Sequence, residues 1–314
     1  MIGVVLRRVA SAMPILLIVS LITFSMMRLI PGDPAAAIAG LAATPQMIAQ
    51  IRADLGLDEP FLVQMASWYG NLLQGSLGRS ILLGKPVVDA TFERLPVTIG
   101  LSAYAMVITL LIGLLSGIVA ALRQNTLIDQ FAMAFAMIGI SLPSFFLGLL
   151  MIILFAVHLG WLPSGGYVPF WSDPWGWFLA MTMPAVSLAM LQAGLLARIT
   201  RSTMLEVLRQ DYIRTARAKG LPPRRVIFRH ALANALIPIT TVIGIIISLM
   251  ISGSVVTEAL FSLPGIGQLL TQAVLGRDYP MVQGGLLLVT AMLVMVNILV
   301  DVAYALLDPR VRYE

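Results

Sequence analysis

Residues 97–122 read VTIGLSAYAMVITLLIGLLSGIVAAL, without one charged side chain. A run of about 20 mainly apolar residues is enough to cross the hydrocarbon of a bilayer as a helix. One Arg, Lys or Asp at the centre of such a run would cost about 2.5–3.5 kcal/mol on insertion scales. The stretch reads as a membrane span. It must be helical, because lipid leaves every backbone polar group to be satisfied inside the segment.

Working outward, five further apolar runs cover roughly 9–29, 131–158, 176–197, 237–260 and 282–307, and the run at 131–158 is also free of charge. The 314 residues are 59% hydrophobic and 11% charged, against about 25% charged in soluble domains. The expectation is an all-α integral membrane protein with six transmembrane helices. The first run follows Arg7 and Arg8 and precedes the small residues PAAAIAG at 34–40, which also suits a cleaved signal. Its length exceeds the usual signal core of about 7–15 residues, so it is read as a retained first helix. Pro143 and Pro184 interrupt apolar runs and are expected to kink them.

Basic residues orient the chain. With the N-terminus inside, the inner segments hold Arg7, Arg8, Arg123, nine Lys or Arg between Arg198 and Arg229, Arg310 and Arg312, which is 14 of the 20. The outer segments hold Arg28, Arg52, Arg79, Lys85, Arg94 and Arg277. Both termini are expected to be cytoplasmic. Three regions follow: a first helix at 1–30, an outer loop region with short helices at 31–96, and a core at 97–314. The core carries a cytoplasmic loop at 198–237.

The outer loop opens on Pro31, Gly32, Asp33 and Pro34, a turn signal. A short helix follows, with Thr44 as N-cap, Pro45 at the first helical position and Gly56 near its end. FLVQMASWYGNLLQGSLG at 61–78 is a second amphipathic stretch. Another outer loop carries Trp161, Tyr167, Trp171, Trp175 and Trp177, a composition suited to the bilayer interface.

Much chemistry is excluded. No cysteine is present, so disulfides, thiol catalysis and Cys-ligated metals are ruled out. The two lysines, Lys85 and Lys219, precede Pro86 and Gly220. A phosphate-binding loop needs Lys followed by Ser or Thr, so this chain binds no nucleotide that way. His158 and His230, the two histidines, are placed on opposite membrane sides. No zinc-protease or serine-hydrolase motif occurs, and an intramembrane enzyme is not expected. Asn297 and Asp301 share a helix face, with Asp301 reading as a helix-end charge. Glu258, in SGSVVTEALFSLPGIG, is either a functional group of the outer pathway or a marker of the interface.

The stretch DYIRTARAKGLPPRRVIFRHALANALIP, 211–238, holds Arg214, Arg217, Lys219, Arg224, Arg225 and Arg229 against Asp211 alone. Leu205, Leu208, Tyr212 and Ala216 are expected on one apolar helical face, with Arg214 and Arg217 on another. Gly220 suits a left-handed helix end. Pro222 and Pro223 then start a second helix, whose apolar face holds Ile227, Phe228, Ala231, Leu232 and Ala235. A helix, a glycine corner and a helix make a knob for a protein partner. A plain topology-setting loop needs no such architecture.

ARAKG followed by HALANALIP resembles the cytoplasmic signature of binding-protein-dependent ABC transporter permeases. LRRVASAMPILLIVSLITFSMMRLIPGDP, LGLDEPFLVQ, RLPVTIGLS, GISLPSFFLGLL, TRSTMLEVLRQDYIRTARAKGL and VVTEALFSLPGIGQLLTQAVLGRDYPMVQGGLL, in that order, resemble the dipeptide/oligopeptide subfamily. That subfamily also carries nickel and glutathione. KGLPPRR departs from it at Pro222, where relatives often have Ser or Asp, which alters the start of the second helix.

The resemblance implies a type I ABC importer permease fold and a multi-pass subunit of the bacterial inner membrane. It implies a second, homologous permease subunit, two ABC ATPase subunits that bind ATP and Mg, and an extracytoplasmic solute-binding protein. No cofactor is implied in this chain. Asp211, Arg214, Thr215, Ala216, Arg217, Ala218, Lys219, Gly220 and Leu221 would form the ATPase-coupling element. Glu258, Ser254, Pro264 and Asp278 are the candidates for the outer gate or pathway. A stand-alone secondary transporter would favour paired intramembrane charges and inverted repeats, and neither is visible.

Overall fold

The computed structural model describes residues 2–29, 34–39, 43–54 and 56–307. The turn expected at Pro31–Asp33, Arg310, Arg312 and the side chain of Asp301 lie outside what is described. In chain order the helices are α1 (Ile2–Leu29), α2 (Pro34–Ala39), α3 (Pro45–Asp54), α4 (Phe61–Leu73), α5 (Val87–Leu122), α6 (Leu127–Ser141), α7 (Ser144–Met151), α8 (Pro174–Leu208), α9 (Asp211–Ala218), α10 (Pro223–Arg225), α11 (Ala233–Leu260), α12 (Ile266–Leu275) and α13 (Tyr279–Leu307). Widened π turns extend α7 over Ile152–His158 and join α10 to α11 over Val226–Leu232. Among the described residues the one bridge between extended segments pairs Arg79 with Pro86.

Four helices among the described residues are long and apolar enough to span a membrane: Val87–Leu122, Pro174–Leu208, Pro223–Leu260 and Tyr279–Val300. A fifth span forms if Leu127–Ser141 and Ser144–His158 count together. These two meet at 101°, so Pro143 breaks the run where a kink was expected. Leu142 takes an extended ψ of 124°, as proline forces on its predecessor, and Pro143 itself is extended at ψ 139°. Pro184, by contrast, stays inside continuous α8. The described apolar part of α1, Ala10–Ser25, is shorter than a full span.

The chain divides into two compact units, described here in turn. The first contains residues 1–96 and 265–298. Its outer elements follow the local signals: the Thr44 hydroxyl accepts the Met47 N–H at 3.3 Å, and Gly56 takes φ +62°. Helix α4 lies on α1, with Phe24 edge-on to Phe61 at 5.5 Å and Ser20 hydrogen-bonded to Tyr69 at 2.7 Å. A small core of Val87, Ala90, Leu269, Ala273, Met281 and Val282 joins the start of α5 to α12 and α13.

The second unit, residues 97–264 and 299–314, is organised by α8. Of the four long spans α8 is the least apolar, yet 67% of its window is buried, against 22–33% in the others. It is screened by protein where the others face outward. Lipid supplies no hydrophobic drive between helices, so close approach needs small residues. The contacts follow this rule. A Cβ on Gly117 would lie 2.6 Å from the Ala197 carbonyl oxygen, and one on Gly113 would lie 2.9 Å from Leu196. On a second side, a Cβ on Gly139 of α6 would sit 2.8 Å from the Met190 carbonyl oxygen, while Gly194 backs onto Ala136.

Glycines therefore differ in what they do. Gly117→Ala forces α5 off α8 and is expected to lower the thermal unfolding midpoint in detergent, at about 1–3 kcal/mol for overpacking. Gly70, inside α4, has open space around it. Gly70→Ala is expected to be neutral or to stabilise by about 0.5–1 kcal/mol. The opposite ranking of the two midpoints would contradict this packing.

Candidate functional site

Helix α8 runs to Leu208 and stops with Arg209 and Gln210, the latter extended at ψ 147°. Helix α9 then starts in a new direction. The face expected to carry Leu205, Leu208, Tyr212 and Ala216 therefore belongs to two helices. Helix α9 buries Ile213 and Ala216, while Tyr212 is 43% exposed. Both buried residues join a cluster with Met204 of α8 and with Val226, Ala231 and Ala235 beyond the corner. In the second half of the loop Phe228 is 61% exposed, and Val226 takes the buried position instead.

The corner is a Schellman cap. Gly220 has φ +76°, its N–H reaches the Arg217 carbonyl at 2.9 Å, and the Leu221 N–H reaches the Ala216 carbonyl at 3.3 Å. This is the 6→1 and 5→2 pair that closes a helix end, and Leu221 packs on the cluster that holds Ala216. Pro222 is extended and Pro223 opens α10. Of the nine candidate coupling residues, Asp211, Arg214, Thr215, Arg217, Ala218, Lys219 and Gly220 are exposed. Ala216 faces inward and Leu221 is half-buried. The result is a short plate, anchored by Ile213 and Ala216, whose open side is small, basic and includes Tyr212. Arg224, Arg225 and Arg229 continue the positive charge beyond the corner.

Above the plate sits an ion pair absent from the sequence reading. Arg201 of α8 grips Asp129 of α6 through two bonds, Nε to Oδ1 at 2.6 Å and Nη2 to Oδ2 at 2.7 Å. The Asn125 N–H also donates to Oδ2, at 2.9 Å. Asp129 is buried, so the α5–α6 turn and the end of α8 lie on one side of the second unit. An open cavity of about 480 Å³ lies beside Arg201, lined also by Leu205, Glu206, Arg209, Gln210 and Asp211.

At the other end of the second unit Glu258 is fully buried and accepts the Thr98 hydroxyl at 2.7 Å. Its backbone carbonyl takes the Leu263 N–H at 2.9 Å, and the Phe261 carbonyl takes the Gly166 N–H at 3.0 Å. The turn before Pro264 is thus held from two sides, with Ser262 at φ +52°. Ser254 is buried one turn earlier and donates to the Ile251 carbonyl. Asp278 belongs to the first unit. It caps α13 through the Met281 N–H at 3.2 Å, accepts the Ser80 hydroxyl, and takes the Leu82 N–H at 3.1 Å. Glu258 and Pro264 are brought together at one turn and Ser254 lies one helical turn before Glu258, whereas Asp278 fixes the 79–86 hairpin.

Comparison with known proteins fits these features. The family described as "Binding-protein-dependent transport system inner membrane component" matches residues 111–313, and its N-terminal companion matches residues 1–102. A putative peptide transport system permease of Brucella abortus (strain 2308) is 51% identical over the whole of both chains. The di/tripeptide transport system permease DppB of Pseudomonas aeruginosa is 42% identical, and the glutathione transport system permease GsiC of Escherichia coli is 39% identical, each over the full length of both chains. A chain of the inward-facing MetNI methionine ABC transporter superposes with TM-score 0.57 at 18% identity, over 70% of this chain and 96% of that one. That likeness concerns the fold alone.

Asp278→Ala strips a buried hydroxyl and two backbone N–H groups of their acceptor, at about 1–3 kcal/mol each. The 79–86 hairpin is expected to open, and limited trypsin digestion should cut after Arg79 several-fold faster than in the parent. An unchanged cleavage rate would show that the hairpin does not depend on this carboxylate.

Proposed function

The chain belongs to the family of binding-protein-dependent transport system inner membrane components, and from that premise we propose that it is a permease subunit of an ATP-driven importer of di- and oligopeptides. It pairs with a second, similar but distinct permease. Two ATPase subunits drive the pair from the cytoplasm, and a soluble binding protein delivers cargo outside. Six spans with both termini inside complete the topology, with α1 as the first.

The observation that carries the coupling assignment is the plate formed by α9. Two inward residues anchor it, a left-handed glycine sets its angle, and its open face presents Ala218 among Arg214, Arg217 and Lys219. Small residues permit close approach to a groove, and arginines reach carboxylates at its rim. The energy of coupling lies in how differently that face fits the open and closed ATPase dimer. Ala216 contributes from beneath, by letting α9 sit close to its own unit.

Glu258, Ser254 and Pro264 are proposed to act on the outer pathway through the Phe261–Pro264 turn. The burial of Glu258 and Ser254 argues for holding that turn in place rather than touching cargo. Peptides are favoured as cargo by the 51% and 42% identical relatives whose names specify peptide transport. Glutathione, itself a short peptide derivative, is the second reading, on the strength of the 39% identical GsiC.

The test is co-purification of the assembled transporter in detergent. Ala218→Trp is expected to reduce the retained ATPase at least tenfold, because an indole on the open face blocks close approach. Gly220→Val is expected to impair coupling with the chain still inserted. A Cβ there meets open space, so the cost comes mainly from φ +76°, about 1–2 kcal/mol. Undiminished ATPase on Ala218→Trp would remove the docking role of α9.

A further inference from the structure

We propose that Asp129 and Arg201 form a positioning clamp that makes the α5–α6 turn travel with the α8–α9 corner. The proposal rests on the reading of α9 as the element that receives motion from the ATPase. It concerns the next step, how that motion enters the transmembrane helices.

Three observations lead to it. The first is geometry. A bidentate guanidinium–carboxylate pair fixes angle as well as distance, and here both oxygens are engaged by Arg201. The second is the turn itself. Oδ2 also holds the Asn125 N–H, and Asn125 sits in the left-handed region at φ +63°, a conformation uncommon for a residue with a side chain. Thr126 closes the other side, its hydroxyl donating to the Arg123 carbonyl at 2.6 Å. The end of α5, the turn and the first turn of α6 are thereby one piece, gripped by one arginine.

The third observation is what lies beside the grip. The corner from Leu205 to Asp211 borders the open cavity, so its polar side is not backed by packed core. The glycine contacts that join α6 to α8, at Gly139 and Gly194, lie further along the helices. Such smooth small-residue faces fix spacing more than angle. Between α6 and α8 at this end of the unit the ion pair therefore supplies the directional link. A buried pair adds little net stability over an apolar substitute of the same shape, so its value is in registration.

This chain has no cysteine, so paired labels can be placed in it without removing any of its own, with the partner subunits in cysteine-free form. Nitroxides at Gln124→Cys in the α5–α6 turn and Arg209→Cys at the corner are read by pulsed dipolar spectroscopy in the assembled transporter, without nucleotide and trapped with ATP and vanadate. With the clamp intact one narrow distance is expected, the same in both states. In Asp129→Asn the distance is expected to broaden and to shift on trapping by about 2 Å or more, the scale of helix translations at switching interfaces. Arg201→Lys keeps the charge but loses the planar fork and should behave likewise. It carries the test alone if Asp129→Asn does not assemble. A narrow, nucleotide-independent distance in the variants overturns the clamp. Failure of the α9 reading registers separately, as ATPase retained by Ala218→Trp.

Discussion

The structure depends on one helix that lipid does not solvate. Helix α8 carries the polar content that a lipid-facing span cannot, and it is buried on most of its surface by α5, α6, α7 and α11. Packing in a bilayer gains nothing from hiding apolar surface that lipid already covers, so it is decided by how closely backbones approach. Gly113, Gly117, Gly139 and Gly194 provide that approach. The consequence is a stiff central strut, continuous through Pro184, whose end leads within two residues into α9.

That arrangement gives the basic loop its mechanical sense. A plate resting on two apolar anchors and turned by a Schellman corner is a poor way to mark topology and a good way to accept a push. A push received there would act at the end of a strut that α5, α6, α7 and α11 all touch. The ion pair between Arg201 and Asp129 adds a directional link between α6 and α8 near that end. At the opposite end of the same unit, Glu258 and the turn to Pro264 form a second fixed point, joined to α5 through Thr98.

Local signals were legible in the sequence, and long-range ones were not. Thr44, Pro45, Gly56, Gly220 and the Pro222–Pro223 pair each act within a few residues, and each sits as the residue chemistry requires. The misplacement of Tyr212 has a simple cause. A 3.6-residue period was carried across Arg209 and Gln210, which break the helix without a glycine or proline to announce it, and the phase was lost. Phe228 was misplaced because π turns over Val226–Leu232 also shift the period. Pro143 was visible, but whether a proline bends a helix or ends it depends on what the next helix packs against. Asp129 and Arg201 stand 72 residues apart, and Thr98 and Glu258 stand 160 apart. The one available hint was a lone acid, Asp129, at the mouth of an otherwise uncharged run.

The central claim is that the open face of α9 lies against an ATPase subunit while its buried face does not. Single cysteines at Ala218 and at Ile213, in the assembled transporter and treated with a short thiol-to-amine cross-linker, separate the two. The expected result is a covalent permease–ATPase product from Ala218→Cys and none from Ile213→Cys. No product from Ala218→Cys in a transporter that still hydrolyses ATP, or equal products from both positions, would contradict it.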